Sequence, residues 1–283
     1  MKRLCLICLL SCLSLGFGIC QPADSTTVSR LLQQAPANAS PLYFARQLKG
    51  KPYVSHTLEV NDREQLVVNL RELDCTTLVE NAVALTLCVH AGQRSFADYR
   101  HWLTQLRYRQ GRLDGYPSRL HYFTDWINDN VDMRLVSEVV SDAAPFSAVQ
   151  TVSVSYMSAH ASQYKALKNH PEFVPAIAEQ EHHLTGQQHR YIPKREIKNT
   201  TALRNVVHDG DILAITCTKE GLDIAHVGVA VWHNDGLHML HASSMKKKVI
   251  EDPLTLSAYL SKHPSFTGIR VIRVRSSIGR ASE

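Results

Sequence analysis

Three side chains in this sequence have the types that nucleophilic acyl chemistry needs: Cys75, His226 and His241. Cys75 stands in the apolar stretch ELDCTTLVENAVAL, directly after Asp74, a residue type that caps helices. A cysteine in the first turn of a helix meets unpaired backbone amides and the positive end of the helix dipole. Both lower its pKa by favouring the thiolate, and the amides can cradle an oxyanion. Such a thiol attacks a carbonyl only when an imidazole takes its proton and a third polar group orients that imidazole. Buried cysteines are common and usually inert, so the placement of Cys75 alone decides nothing.

The imidazoles lie in a predicted hairpin. HVGVAVW and LHMLHAS are strand-like runs joined by the turn residues HNDG. If Trp232 pairs with Leu237, Gly228 falls opposite His241, and His226 falls opposite Ser243. His226 and His241 then share a sheet face as diagonal neighbours, roughly 7 Å apart at the backbone. Gly228 leaves room beside them for the rings and for close backbone approach. A slip in loop length would turn one ring to the opposite face. With 15 histidines in the chain, two on one hairpin could arise by chance. Zinc held by both imidazoles and an acid is the chemical alternative. The sequence contains no HExxH and, past its first 20 residues, no Cys/His cluster of structural-zinc spacing, so neither metal nor cofactor is expected.

The elements that must position these residues read as α+β. Residues 76–91 form a helix with Leu78, Ala82, Leu85 and Val89 on one face. FADYRHWLTQLRYR repeats that spacing through Phe96, Tyr99, Leu103 and Leu106. Between the two early proline breaks and Cys75, LEVNDREQLVVNLREL holds two short strand-like segments around a polar turn. Residues 21–40 are polar and Pro/Ala/Ser-rich, a loosely ordered lead-in; short helical pieces from about 27 to 48 are broken by Pro36 and Pro41. The stretch 111–200 has weak periodicity and reads as long connections carrying a few helices, with EHH at 181–183 on a polar helix face. Past residue 205 the period becomes that of strands: GDILAITCT, the hairpin, then GIRVIRV after a short helix in LTLSAYLSKH.

The chain of 283 residues is long enough for a sizeable core, and 44% hydrophobic with 20% charged residues is ordinary for a globular protein. Its formal charge of +5 is mild. The one tight basic run, Lys246 to Lys248, reads as a solvated edge, so no nucleic-acid partner is expected. MKRLCLICLLSCLSLGFGICQ has two basic residues, an apolar stretch and small residues, the layout of a secretory signal over 1–20 and too short to span a membrane. Export to the periplasm or envelope follows, with cleavage after Cys20 or lipid attachment at Cys20 as its two forms. Four of the seven cysteines fall in that segment, which removes CLIC as a redox or metal motif. Cys88 and Cys217 read as packing residues or a possible pair, and an odd count leaves at least one free thiol.

Together the DC helix start, GD leading a strand, HVGV and a later HAS resemble the NlpC-type papain-like cell-wall hydrolases. The separation of Cys75 from His226 is longer than in compact members. ELDCTTLVE, SRLHYFTDWINDN, GLDIAHVGVAV, LHASS and GIRVIRV resemble its N-acetylmuramoyl-L-alanine amidase-like branch, over about residues 42 to 275. That resemblance implies a papain-like α+β core: a nucleophile-bearing helix packed on an antiparallel sheet, in one domain over 41–283. A long substrate-selecting insertion occupies about 100–200. It implies Cys75 as nucleophile, His226 as general base and His241 as the orienting residue. Asp74 falls at the substrate cleft, and Arg119, Tyr122, Asp125, Trp126, Tyr53 and Tyr191 are the further cleft candidates. The expected activity is hydrolysis of the amide between N-acetylmuramic or 1,6-anhydro-muramic acid and L-alanine in peptidoglycan fragments, by a monomer. A stem-peptide endopeptidase cutting between D-glutamate and the diamino acid, and a non-catalytic muropeptide-binding envelope protein, are the alternatives.

Overall fold

Helices come first and carry most of one core. They are α1 (Pro22–Gln34), α2 (Pro41–Gln47), α3 (Cys75–His90) and α4 (Phe96–Arg107), and the computed structural model describes residues 22–276. The expected signal over 1–20, with Cys20, lies outside the described residues. Every residue of α3 from Thr77 to Val89 is buried, beyond the single face its pattern predicts. The reason is that α1, α2 and α4 cover it on one side and a sheet on the other, and a helix hydrophobic all round belongs in a core.

The sheet contains β1 (Val136–Val139), β2 (Ala148–Thr151), β3 (Gln188–Pro193), β4 (Ile212–Cys217), β5 (Ile224–Trp232), β6 (Leu237–Ser243), β7 (Lys248–Glu251) and β8 (Phe266–Val274). Its order is β2-β3-β8-β4-β5-β6-β7, with β1 also pairing β8, and each of these pairs is antiparallel. β4 is apolar on both faces. Ile212 and Ala214 enter the core beneath α3, while Leu213 and Ile215 enter a second core. A strand covered on both sides loses its alternation in just this way. The smaller helices are α5 (Phe123–Asp132), α6 (Tyr156–Ala159), α7 (Lys165–Asn169), α8 (Val174–Leu184), α9 (Thr201–Val206) and α10 (Leu256–Ser261). α9 and α10 pack on the second core, and α6 to α8 gather a third apolar cluster with Tyr116 and Tyr122.

Several expectations are corrected. The lead-in is folded from residue 22: α1 buries Val28, Leu31 and Leu32, and the buried Asp24 accepts from Leu70 N at 3.0 Å and Arg71 Nε at 3.2 Å. LEVNDREQLVVNLREL forms no strand pair; it is irregular chain that buries Leu66, Val67, Val68 and Leu70 against the helices. The stretch 111–200 supplies three strands: β1 and β3 pair with β8 from far away in sequence, and β2 pairs with β3. Glu181 of EHH is buried, held by Tyr122 Oη at 2.6 Å, whereas His182 and His183 are exposed. Cys88 and Cys217 are both free thiols rather than a pair. Among the described residues no helix is long and apolar enough to cross a membrane.

Candidate active site

The local chemistry around Asp74 fixes where α3 starts. Asp74 Oδ1 accepts from Thr77 N at 2.8 Å, and Thr77 Oγ1 accepts from Asp74 N at 2.9 Å. This reciprocal capping box makes Asp74 the N-cap and Cys75 the first helical residue. The half-buried Cys75 opens onto a cavity of about 260 Å³ that His226 also lines. Val227, next to His226, lines the same cavity. Among the described residues no hydrogen bond joins Cys75 to the His226 ring.

The hairpin has the expected register, with Trp232 opposite Leu237 and Val229 opposite Leu240. The paired ladder ends at Val229 and Leu240, and beyond it His226 Nε2 lies 2.6 Å from His241 Nδ1, the rings edge to face. Gly228 gives the close backbone approach expected of it, but not the expected room for the rings. A Cβ there would lie 2.5 Å from Met239 Cγ and 2.9 Å from the Leu240 carbonyl oxygen, so the glycine admits Met239 rather than an imidazole. Behind the rings, His241 Nε2 is 3.2 Å from Asp252 Oδ2, and Tyr259 of α10 packs edge-on to His241 at 5.4 Å between centroids. Asp252 was missed from sequence. Its signal was KVIE: read as a strand continuing the antiparallel order, β7 carries Glu251 opposite Leu240 and sets Asp252 beside the hairpin.

Electrostatics departs from the sequence expectation. Burial, then the Asp74 charge, push the Cys75 thiol up to about 11, against hydrogen bonds from Val227 and Thr76 that pull it down. The helix start was expected to lower it; desolvation of a thiolate outweighs a few amide dipoles here. Burial, the neighbouring His241 and then His263 push His226 down to about 3. His241 is also lowered by burial, with Asp252 acting in the opposite direction. The free site therefore holds a neutral thiol and neutral imidazoles at pH 7.

The proposed cleft residues separate. Arg119 and Tyr122 line the cavity with Cys75. The Arg119 guanidinium is nevertheless engaged by Glu59 and, at 3.6 Å, by Glu64, and the Tyr122 hydroxyl donates to Glu181. Tyr53 is half-buried, and burial followed by the charges of Cys75 and Asp74 raises its pKa, so it borders the same site. Asp74 uses its carboxylate to cap α3. Asp125 and Trp126 do not reach the cavity. Asp125 is bound by Arg109 at 3.0 and 2.5 Å, and Trp126 is fully buried, stacked on Phe123 at 4.9 Å. Tyr191 is not brought there either: it lies on β3, with β8 and β4 between it and β5. Sequence reasoning missed Tyr116, Tyr156 and Tyr164, which complete an aromatic wall. Among the described residues no three His, Cys, Asp or Glu side chains are disposed to hold a metal ion.

The antiparallel sheet and the helices that cover it define a mixed α/β fold, and solved structures share that fold. Residues 43–269 match the AmiA-like family model, described as N-acetylmuramoyl-L-alanine amidase-like, and the chain belongs to that family. A crystal structure of an N-acetylmuramoyl-L-alanine amidase from Bacteroides uniformis is 40% identical, with a TM-score of 0.78, covering 84% of this chain and 99% of that one. A Bacteroides fragilis structure, provisionally named a xylanase, is 42% identical over 81% of this chain and 99% of that one, with a TM-score of 0.76. Protein LPG0564 of Legionella pneumophila, at 21% identity and a TM-score of 0.67, shares the fold over 89% of this chain and 94% of its own. No curated protein matches the chain.

Proposed function

We propose that this chain is an exported cysteine amidase with an NlpC-type, papain-like core. Its substrate is the amide between N-acetylmuramic or 1,6-anhydro-muramic acid and L-alanine in peptidoglycan fragments. The observation that carries this reading is the shared cavity: Cys75 heads α3, and His226, bonded to His241, lines the same space. The Bacteroides uniformis relative, an amidase by name, supplies the bond class.

Because thiol and imidazole are both neutral in the free site, proton transfer accompanies attack rather than preceding it. Substrate closes the remaining gap between Cys75 and His226. His226 takes the thiol proton as sulfur adds to the carbonyl, backbone amides at the start of α3 hold the oxyanion, and His226 returns the proton to the leaving amine. Water then hydrolyses the thioester by the same route. The segment of about 100–200 acts as the substrate-selecting insertion. Tyr156 and Tyr164, the more exposed aromatic residues of the lining, offer surface for sugar rings, while the buried Tyr116 and Tyr122 back the wall. Arg119, already paired with Glu59 and Glu64, shapes the wall.

A glycosidase, suggested by the name of the Bacteroides fragilis relative, needs two free carboxyl groups across the scissile bond. The cavity carboxylates are engaged instead: Glu59 by Arg119, Glu80 by Arg107 at 2.8 Å, and Asp223 by Thr124 N at 2.6 Å. The test incubates the protein with an anhydro-muropeptide and with the free stem peptide, followed by mass analysis. Release of intact peptide with a new N-terminal alanine, absent in Cys75→Ala, supports the amidase. Cleavage after D-glutamate identifies the endopeptidase, and binding without turnover identifies the muropeptide-binding protein. Full turnover by Cys75→Ala, or loss on chelation restored by zinc, refutes cysteine catalysis.

A further inference from the structure

We propose that Asp252 is a positioning residue that sets, through His241, which nitrogen of His226 carries a proton; this rests on the cysteine-amidase reading. The argument is one of donors and acceptors. A carboxylate only accepts, so the contact of Asp252 Oδ2 with His241 Nε2 at 3.2 Å places the His241 proton on Nε2. His241 Nδ1 is then a lone pair. At 2.6 Å from it, His226 Nε2 must be the donor. A neutral His226 with its proton on Nε2 has a lone pair on Nδ1, the nitrogen left to take the thiol proton. Without the carboxylate nothing distinguishes the two directions of this chain. Of the other groups facing His241, Tyr259 meets its ring edge-on and His263 acts only by charge.

Asp252 also has a structural task, since its Oδ1 accepts from Leu254 N at 2.9 Å. This makes the choice of variant decisive. Asp252→Asn keeps that acceptor but presents an N–H to His241 Nε2. His241 must then carry its proton on Nδ1, His226 must accept on Nε2, and the nitrogen left to act as base carries the proton instead. Asp252→Ala loses the Leu254 bond yet leaves the tautomers free.

The proposal expects kcat of Asp252→Asn to fall about 10²–10⁴-fold with KM nearly unchanged, a larger loss than in Asp252→Ala. In a His241→Asn background, whose amide oxygen accepts from His226 in either case, Asp252→Asn should add no further loss. Nitrogen-15 shifts of the His226 ring should report a proton on Nε2 in the native protein and on Nδ1 in Asp252→Asn. A role confined to the Leu254 turn predicts the reverse order, alanine worse than asparagine. That order, or a His226 tautomer unchanged by Asp252→Asn, overturns the proposal. The nitrogen shifts need no substrate, so the tautomer can be refuted while the amidase reading stands. Conversely, an active Cys75→Ala refutes cysteine catalysis and leaves the tautomer result intact.

Discussion

The most direct consequence of the site's electrostatics is the pH dependence of Cys75 alkylation. With the thiol pushed up to about 11, about one molecule in ten thousand carries a thiolate at pH 7. Iodoacetamide reacts with the thiolate, so labelling of Cys75 should rise about tenfold per pH unit from 7 to 10 and level off only near 11. A preformed thiolate–imidazolium pair would instead give a plateau between about pH 5 and 8. Peptide mapping by mass spectrometry separates Cys75 from the fully buried Cys88 and from the half-buried Cys217. Asp74→Asn supplies the internal control. Asparagine is as good a cap as aspartate, yet it removes the charge that raises the thiol. An adjacent charge of this kind is worth about 1 kcal/mol, so labelling at pH 8 should increase about fivefold. Over the same range kcat/KM should stay flat, because the neutral pair is the reactive form. Its acid limb should follow His226 and lie near 3 to 4 rather than at 6.5. Labelling independent of pH between 6 and 8 would refute the neutral resting state and the burial argument behind it.

Acid stability follows from the same groups. Burial holds His121 and His226 down to about 3, so the unfolded chain binds more protons between about 6.5 and 3, and stability is lost as pH falls through that window. At pH 5 each should cost about 2 kcal/mol by linkage; urea titrations at pH 7 and 5 check this, and His121→Gln should remove one share, whereas equal midpoints would contradict it. Trp126→Ala should destabilise by about 3–5 kcal/mol as a core truncation, with KM unchanged in the folded fraction. A raised KM without loss of stability would return Trp126 to the substrate. His226→Ala should abolish turnover while His241→Asn retains more than His241→Ala, measured as kcat on a muropeptide at equal folded concentration, since only the asparagine still accepts from His226.

Local chemistry was legible in the sequence wherever a few neighbouring residues decide it. Asp74 and Thr77 close a capping box by themselves, so the helix start at Cys75 could be read directly. The hairpin register followed from its turn residues and the period of two, which fix which side chains share a face. What only the tertiary structure decided depends on partners remote in the chain. β1 to β3 are short and weakly patterned; β1 and β3 become strands because β8 offers a partner, and β2 because β3 then does. Asp252 reached His241 only through an unread β7. In the one segment SRLHYFTDWINDN, Tyr122 faces the cavity while Trp126 enters the core, and Arg119 meets Glu59 and Glu64 from an irregular stretch that sequence had drawn as strands. The thiol of Cys75 shows the division most sharply. Its position at a helix start is local and was readable, but its proton affinity is set by everything that displaces water from it, and that is a property of the packed molecule alone.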